Sequence, residues 1–270
     1  MRLKIWGVRG STPTPEVQNL GYGGNTSCLE IRSAENEVFI FDAGSGMRHL
    51  GQSLTEEFKG QKLSLNVFLT HFHWDHIQGL PFFLPFYKTD NEMTFHASRE
   101  LGPLAEKLQG QMSKPYFPVS MDIGARRNFV ELDSTELRFG SLRVRTFPLN
   151  HPQGAWGYRI ESGAGSIVYA TDLEHGNQRL DGVLREYSQG ADILIYDCNY
   201  TPEEYASHIG WGHSTWSEAV NVAKDAGVKR LILFHHDPWH NDRMLDAIVA
   251  QARERFDNTL AATEGWSVDV

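Results

Sequence analysis

The segment T-H-F-H-W-D-H-I-Q-G, residues 70–79, contains four side chains that can bind a metal ion within six positions: His71, His73, Asp75 and His76. His71 and His73 are two residues apart after an apolar run, so both can point to one side of a strand. Asp75 and His76 lie in the turn beyond, where consecutive residues face differently. Four ligands from one tight segment cannot easily surround one ion, so the spacing predicts that Asp75 and His76 serve a second ion.

Further His and Asp residues follow other short apolar runs that predict buried strands. The runs are 63–69, 142–149, 166–170, 192–196 and 230–234, and they lead into His71, His151, Asp172, Asp197 and His235. In open α/β architectures, functional residues collect at such strand ends. A His-rich loop can also be plain polar surface, but this repeated placement favours a metal site.

Helices are predicted between and after these strands. Thr215-x-x-Glu218 matches a capping box at the start of a helix, and residues 242–256 show apolar side chains on one helical face. A further helix is predicted over 99–111. We expect residues 115–118 to form a loop near the mouth of the site.

Composition limits the range of partners and compartments. The chain has 270 residues, a net charge of -9 and no linker-like or repeated stretch, so we expect one domain over residues 1–270. The acidic balance argues against an extended nucleic-acid surface. The apolar run 80–87 is too short for a membrane helix and contains two prolines. We therefore expect a cytoplasmic protein without a membrane partner.

The ordered set of metal-binding residues resembles the signature of the metallo-β-lactamase superfamily. The matching positions are His71-x-His73-x-Asp75-His76, Phe41-Asp42-Ala43-Gly44, His151, Asp172 and His235. The resemblance implies an α/β (α+β) fold, an αββα sandwich of two mixed β-sheets with flanking helices and a binuclear metal site at one edge. It is closest to the phosphodiesterase branch, which includes tRNA end-processing nucleases and cyclic-nucleotide and cyclic-phosphate phosphodiesterases.

The resemblance also implies a ligand set for two divalent ions. One ion takes His71, His73 and His151, the other takes Asp75, His76 and His235, and Asp172 bridges them. Imidazole and carboxylate donors suit Zn²⁺, which we expect first, and tolerate Mn²⁺ or Fe²⁺. His235 and His236 compete for the last position, and similarity to the family's apolar strand favours His235. His236 is then expected to bind substrate.

Two ions about 3.5–4 Å apart can activate a shared water and polarise a phosphoryl oxygen. The bridging hydroxide is expected to attack phosphorus, and Asp75 is expected to orient it as well as bind metal. Gly212-His213-Ser214-Thr215 resembles the His-Ser-Thr motif of the tRNA-processing nucleases, whose histidine assists departure of the leaving group. His213 is therefore the second candidate catalytic residue.

Other candidate residues have supporting roles. Asn25 and Thr26 are candidates for binding the substrate phosphate, although a Gly-Gly-Asn turn can simply connect two strands. Asp42 and Asp197 end strands and are candidates for accepting a hydrogen bond from a ligand histidine, although Asp197 can equally serve as a loop cap. Trp74, between the ligands, is expected to be a packing residue.

The leading hypothesis is a binuclear metal-dependent phosphodiesterase that hydrolyses a small phosphodiester, most plausibly a cyclic nucleotide or cyclic dinucleotide. The alternatives are a tRNA or RNA end-processing nuclease and a thioesterase or lactonase of the glyoxalase II kind. A sensing module that has lost turnover is a hypothesis of another class. A homodimer is usual for the resembled family, but no apolar stripe in the sequence identifies its interface.

Overall fold

The computed structural model describes residues 1–133, 136–163 and 165–270, which form two mixed seven-stranded β-sheets. The strands of the first sheet are β1 Arg2–Gly7, β2 Cys28–Arg32, β3 Val38–Phe41, β4 Ser64–Phe68, β5 Glu92–Ser98, β6 Arg126–Leu132 and β14 Ser267–Asp269. The strands of the second are β7 Glu136–Phe139, β8 Leu142–Leu149, β9 Ala155–Ser162, β10 Gly165–Ala170, β11 Ile193–Asp197, β12 Arg230–Phe234 and β13 Thr259–Ala261. Their spatial orders are β14-β1-β2-β3-β4-β5-β6 and β13-β12-β11-β10-β9-β8-β7.

Helices connect many of these strands. The α-helices are α1 Met47–Glu57, α2 Trp74–Ile77, α3 Leu104–Gln111, α4 Gln178–Ser188, α5 Pro202–Tyr205, α6 Trp216–Asp225 and α7 Asp242–Arg255. Short 3₁₀ helices span Val17–Asn19, Leu80–Phe82, Leu84–Tyr87 and Arg99–Leu101. Across the described part of the chain, no helix combines the length and apolar character needed to cross a membrane.

The two sheets pack face to face, and helices cover their outer faces. On β12, Ile232 and Phe234 belong to the core between the sheets, while Leu231 and Leu233 pack with α6 and α7 on the outside. This alternation follows from the period of two along a strand. Helices α1 and α3 cover the first sheet in the same way. The predicted αββα sandwich is confirmed.

Parallel pairing brings the metal-binding residues to one edge. Strands β3 and β4 are parallel in the first sheet, and β10, β11 and β12 are parallel in the second. Strand β8 runs the same way as β10, because each is antiparallel to β9. Within each sheet the carboxyl ends of these strands share one edge, and residues that follow them in both sheets meet in the same donor clusters.

Two helix predictions differ from the structure in detail. The predicted helix over 99–111 is interrupted at Gly102-Pro103, which separates a 3₁₀ turn from α3. Thr215 caps α6 by accepting a hydrogen bond from Glu218 N, but the Glu218 carboxylate pairs with Arg185 at 2.9 Å. Only half of the predicted capping box therefore forms.

Buried His96 on β5 predicts a pH dependence of stability. Its ring stacks on Phe68 with ring centroids 4.4 Å apart, and its Nε2 lies 3.0 Å from Asn66 Oδ1. Burial lowers the pKa of His96 to about 4. In the unfolded chain His96 is protonated below its ordinary pKa of about 6.5, whereas the folded protein keeps it neutral down to about pH 4. The contribution of His96 to the free energy of unfolding is therefore fully present above pH 6.5 and is lost as pH falls toward 4. At pH 5 we expect a loss of about 2 kcal/mol.

Urea unfolding at pH 7.5 and pH 5 checks this expectation. His96→Phe is the matched variant, because it keeps an aromatic ring against Phe68 and removes the titrating group. Between the two pH values, the wild-type free energy of unfolding should fall by about 2 kcal/mol more than that of the variant. Equal decreases in the free energy of unfolding of wild type and His96→Phe would show that His96 does not cause the pH dependence.

Candidate metal centre

The loop after β4 and the one-turn helix α2 carry the central motif. His71 and His73 lie in the extended stretch before α2, and Asp75 and His76 lie within it. The Asp75, His76 and His71 side chains are almost completely buried. A change from extended chain to helix inside one motif turns the first and second pairs of side chains in different directions.

A first cluster consists of His71, His73, His151 and Asp172, whose candidate ligand atoms all lie within 4.8 Å of one another. His73 Nδ1 is 3.2 Å from His151 Nε2. His71 Nε2 is 3.6 Å from Asp172 Oδ1, is buried, and has no hydrogen-bond partner among the described residues. The first cluster thus contains an unsatisfied nitrogen facing a carboxylate.

A second cluster consists of Asp75, His76, His235 and Asp172, again with all ligand atoms within 4.8 Å. Asp172 Oδ2 is 3.0 Å from His76 Nε2 and 3.3 Å from His235 Nε2. Because Asp172 Oδ1 faces the first cluster, its two oxygens divide between the clusters. The structure thus brings all seven predicted ligands into two groups that share one carboxylate.

Three of the strand-end residues adopt a left-handed backbone. The φ angles are 60° for Asp42, 59° for Asp172 and 59° for His235. This conformation is unfavourable for residues with a Cβ and costs of order 1–3 kcal/mol at each position. The surrounding hydrogen bonds hold these residues there, and the turn directs their side chains toward the centre.

The carboxylate of Asp42 fixes the orientation of His76 in the second cluster. Its carboxylate accepts hydrogen bonds from His76 Nδ1 at 2.8 Å, Tyr169 OH at 2.8 Å and both Thr70 N and Thr70 Oγ1. The bond to Nδ1 leaves His76 Nε2 facing Asp172, as a metal ligand requires. Sequence reasoning found Asp42 but missed Thr70 and Tyr169, because a buried Thr or Tyr carries no distinctive pattern.

Asp197 holds residues of the second cluster and His213 in place through hydrogen bonds. It accepts hydrogen bonds from His213 Nδ1 at 2.9 Å and from the backbone amides of Asp172, Asn199 and Ser214. The predicted strand-end Asp therefore positions Asp172 and His213 directly. A third group of possible donors, Asp172, Asp197, His213 and His235, overlaps the second cluster. Because these bonds occupy the Asp197 oxygens, we interpret this third group as support rather than another ion site.

His213 lies beside the two clusters. Its ring stacks on His235 with centroids 4.9 Å apart and lies 5.4 Å from the ring of His151. Burial alone would lower the pKa of His213, but Asp197, with Asp172 and Asp75, raises it to about 9. Since Asp197 accepts from Nδ1, the proton on Nε2 is the one available to another molecule.

The loop before His213 is fixed by a residue that sequence reasoning missed. Glu174 accepts hydrogen bonds from the backbone amides of Gly210 and Gly212 at 2.7 and 2.9 Å. The Gly212 carbonyl in turn accepts from His151 Nδ1 at 2.8 Å, which aims His151 Nε2 at the first cluster. Gly212 has φ of 86°, and a Cβ there would lie 2.4 Å from His151 Nδ1, so this position requires glycine.

The charges of the clusters suit cations. Burial, together with neighbouring His76, lowers the pKa of His71 well below its ordinary value, so His71 is neutral and can bind metal through Nε2. Burial alone would raise the pKa of Asp172, but His235, His76 and His71 hold it well below its usual range. Burial opposes charge on His76 as well, yet Asp172, Asp75 and Asp42 raise its pKa well above the ordinary value. The second cluster therefore attracts positive charge.

Asn25 and Thr26, which were predicted to bind the substrate phosphate, both form hydrogen bonds within the scaffold. Thr26 is fully buried, and its Oγ1 accepts from Ser45 N and Gln78 Nε2. Asn25 is bonded through its backbone and side-chain nitrogens to Glu264. These bonds hold the turn in place, which agrees with the structural alternative for this turn.

His236 is likewise bonded within the scaffold and is not among the clustered donor residues. It is buried, and its Nε2 donates to the Ala262 carbonyl at 3.0 Å. Burial lowers its pKa to about 3. The left-handed turn at His235 aims its side chain at the centre, and the side chain of the next residue, His236, is directed into the protein. This burial is at odds with the prediction that His236 binds substrate.

Trp74 is exposed, contrary to the prediction that it is a packing residue. It opens α2 and is 80% exposed, although it stands between His73 and Asp75. The chain is no longer a strand at this point, so no alternation forces the side chain inward. Trp74 therefore faces the solvent beside the metal centre.

The fold and the shared donor clusters define a metal-dependent hydrolase. Residues 38–236 match the family model described as Beta-lactamase superfamily domain. The chain belongs to this family, so the resemblance inferred from the motif is confirmed.

Similar proteins extend the comparison over nearly the whole chain. Ribonuclease Z of Lactococcus lactis subsp. lactis is 27% identical over 310 positions, covering 92% of this chain and 97% of that protein. Among solved structures, the metallo-beta-lactamase fold protein YhfI from Bacillus subtilis is 20% identical, covers 99% of this chain and 98% of its own, and has a TM-score of 0.74. Human tRNase Z, short form, is 18% identical, covers 100% and 99%, and has a TM-score of 0.65.

The similarity to Ribonuclease Z corrects one prediction. We expected a small phosphodiester as the partner and no extended nucleic-acid surface, whereas these relatives are ribonucleases by name. The expectation was wrong because net charge describes the whole surface. A net charge of -9 does not exclude a local site where the charge balance differs.

Proposed function

We propose that this protein is a binuclear metal-dependent phosphodiesterase that cleaves RNA, as an end-processing nuclease. The observation that carries the choice of substrate is the similarity to Ribonuclease Z over 92% of this chain and 97% of the relative. The site supports the same reaction, because two donor clusters share Asp172 and His213 lies beside them. We further propose that residues 1–270 act as one catalytic domain, since each cluster takes residues from both sheets.

The residues fit two divalent ions. The unpartnered, buried Nε2 of His71 marks the first cluster as a site that needs a Lewis acid or a proton. In our proposal His71, His73 and His151 hold one ion, Asp75, His76 and His235 hold the other, and Asp172 bridges. Imidazole with carboxylate suits Zn²⁺, which we propose first, with Mn²⁺ or Fe²⁺ as substitutes.

When bound, the two ions supply Lewis acidity that lowers the pKa of water and polarises a phosphoryl oxygen. Side chains of the protein orient the attacking water and donate a proton to the leaving group. Asp75, fixed by a 2.7 Å hydrogen bond from Ser11 N to its Oδ2, has its other oxygen available to orient the attacking water. His213 donates the proton on Nε2 to the departing ribose oxygen, and Asp197 holds its ring in the orientation that allows this.

A substrate panel tests the proposal. Metal-loaded protein is incubated with a stem-loop RNA carrying an unpaired 3′ extension, and in parallel with cyclic mononucleotides, cyclic dinucleotides, a thioester and a lactone. We expect cleavage of the RNA near the end of its stem and far slower turnover of the other compounds. Turnover of a cyclic nucleotide with intact RNA would overturn the proposed substrate, and turnover of the thioester or lactone alone would overturn the reaction class.

Asp42→Asn tests how the second ion is held. The amide keeps the size of the side chain but replaces one acceptor oxygen by a donor. Either the bonds that Oδ2 accepts from His76 Nδ1 and Tyr169 OH or the bond that Oδ1 accepts from Thr70 N must therefore be lost. We expect metal affinity to fall by about 10- to 100-fold for one of the two ions. Competition with a chromogenic chelator measures the two affinities separately.

Tyr169→Phe is the matched control, because it removes one hydrogen bond to Asp42 and leaves the bond to His76. This variant should lose stability and keep both metal affinities within a few fold. Equal metal affinities in Asp42→Asn and wild type would show that Asp42 serves only the fold.

A further inference from the structure

A large groove adjoins the metal centre and takes no part in the chemistry described above. It has a volume of about 760 Å³, within the range of pockets that hold small molecules, and its walls include Phe72, Trp74, Ile77, Lys107 and Tyr116. Trp74 and Tyr116 are each 80% exposed. Two large aromatic side chains exposed in the wall of one groove form the kind of apolar patch that marks a binding site.

The groove is continuous with the first cluster. A smaller cavity is lined by His71 and His73, and it shares Phe72 and Lys107 with the large groove. Phe72 and Trp74 fall between the residues that we propose as ligands, so the wall of the groove and the first cluster are built from the same short segment. A substrate whose reacting phosphate lies at His71 and His73 therefore extends directly into the groove.

The residues that line the groove determine which kind of ligand can bind there. Exposed aromatic faces stack on planar groups, and any nucleobase offers such a face. Exposed Lys107, whose Nζ lies 4.8 Å from the Phe72 ring centroid, stands where the groove meets the smaller cavity and can pair with a phosphate. Paired bases are already stacked within their helix, so the groove suits an unpaired strand better than a duplex.

The comparison with Ribonuclease Z adds an independent reason for such a contact. The alignment with the Lactococcus lactis protein spans 310 positions, more than the 270 residues of this chain. The relative therefore contains segments that have no counterpart here. Any contacts those segments make to RNA must be made differently in this protein.

We propose that this groove binds unpaired nucleotides next to the scissile phosphate, with bases stacked on Trp74 and Tyr116. This inference rests on the proposed RNA substrate and deepens it, because it specifies a single-stranded segment beside the cleavage site. Stacking on an aromatic side chain contributes about 1–3 kcal/mol per base, which corresponds to roughly 5- to 150-fold in affinity.

Binding is measured separately from turnover. Fluorescence anisotropy with a labelled single-stranded hexaribonucleotide is recorded in the Asp172→Asn background, which limits cleavage during the measurement. We expect Trp74→Ala to weaken binding at least about fivefold. Trp74→Phe should restore most of the affinity, because a smaller ring still stacks. A duplex of the same length should bind Trp74→Ala and its parent equally.

Trp239→Ala is the matched control, because Trp239 is 88% exposed on the loop after β12 and does not line the groove. Its affinity for the single strand should equal that of its parent. Metal content is measured in each variant, since Trp74 lies between His73 and Asp75. Equal affinity in Trp74→Ala and parent, or no binding of the single strand by the parent, would overturn the groove proposal. Single-strand binding without RNA cleavage by metal-loaded wild type would instead overturn the proposed function and leave the groove supported.

Discussion

Replacing Asp172 by Asn lowers kcat/KM for RNA by at least about a thousandfold, because it changes the one carboxylate that faces both clusters. Oδ1 lies toward His71, and Oδ2 lies 3.0 Å from His76 Nε2 and 3.3 Å from His235 Nε2. The side-chain amide of Asn has one oxygen that can bind a metal ion, and its NH₂ nitrogen is a poor metal ligand. It can therefore face only one of the two ions as a ligand.

Metal content distinguishes this effect from misfolding. After dialysis against a metal-buffered solution, Asp172→Asn should retain fewer than two ions per chain, while circular dichroism shows the wild-type fold. Asp246→Asn is the control, because Asp246 is an exposed carboxylate whose contact is the Tyr22 hydroxyl. Wild-type metal content together with wild-type turnover in Asp172→Asn would exclude a shared ligand at this position.

Replacing His213 by Ala has the second largest expected effect, and its size depends on the leaving group. For RNA, whose departing ribose oxygen needs a proton, kcat should fall by about 10²- to 10⁴-fold. For bis-p-nitrophenyl phosphate, whose phenolate leaves without a proton, the loss should be less than about tenfold. Both substrates are compared in the same preparations, with metal content measured alongside.

The pH dependence adds a second readout for His213. The pKa of His213 is raised to about 9, so the ring is protonated at neutral pH and can act as an acid. RNA cleavage should decline on the alkaline side as this proton is lost, and His213→Ala should lack that decline. A loss of metal in His213→Ala, or equal losses on both substrates, would show that His213 holds the site together and does not donate a proton.

The convergence of these residues on one edge was predictable because they follow strands, whereas their division between two ions came from the resemblance to the metallo-β-lactamase superfamily. Each of His151, Asp172 and His235 follows an apolar run of five to eight residues, and parallel pairing brings those ends to one edge. The left-handed backbone at Asp172 and His235 was not predictable. It depends on tertiary hydrogen bonds, such as the one from Asp172 N to Asp197, that no local pattern records.

The direction of several side chains was not predictable for one physical reason, which is that a polar or aromatic residue near a motif can face either way. Asn25 and Thr26 bind the scaffold, and His236 faces the interior because His235 faces the metals. Trp74 is the reverse case, because its side chain was predicted to pack in the interior and is exposed. Which way each side chain turns is decided by neighbours distant in sequence, such as Glu264 for Asn25 and Ala262 for His236.

The proposed reaction requires two ions that act together on RNA. Metal-free protein is titrated with Zn²⁺, and RNA cleavage is measured in the same samples that are analysed for bound metal. We predict little cleavage up to one equivalent, a steep rise between one and two equivalents, and no further rise beyond two. Full activity at one bound equivalent, or intact RNA with two ions bound, would contradict the proposal that clusters joined by Asp172 form a binuclear ribonuclease site.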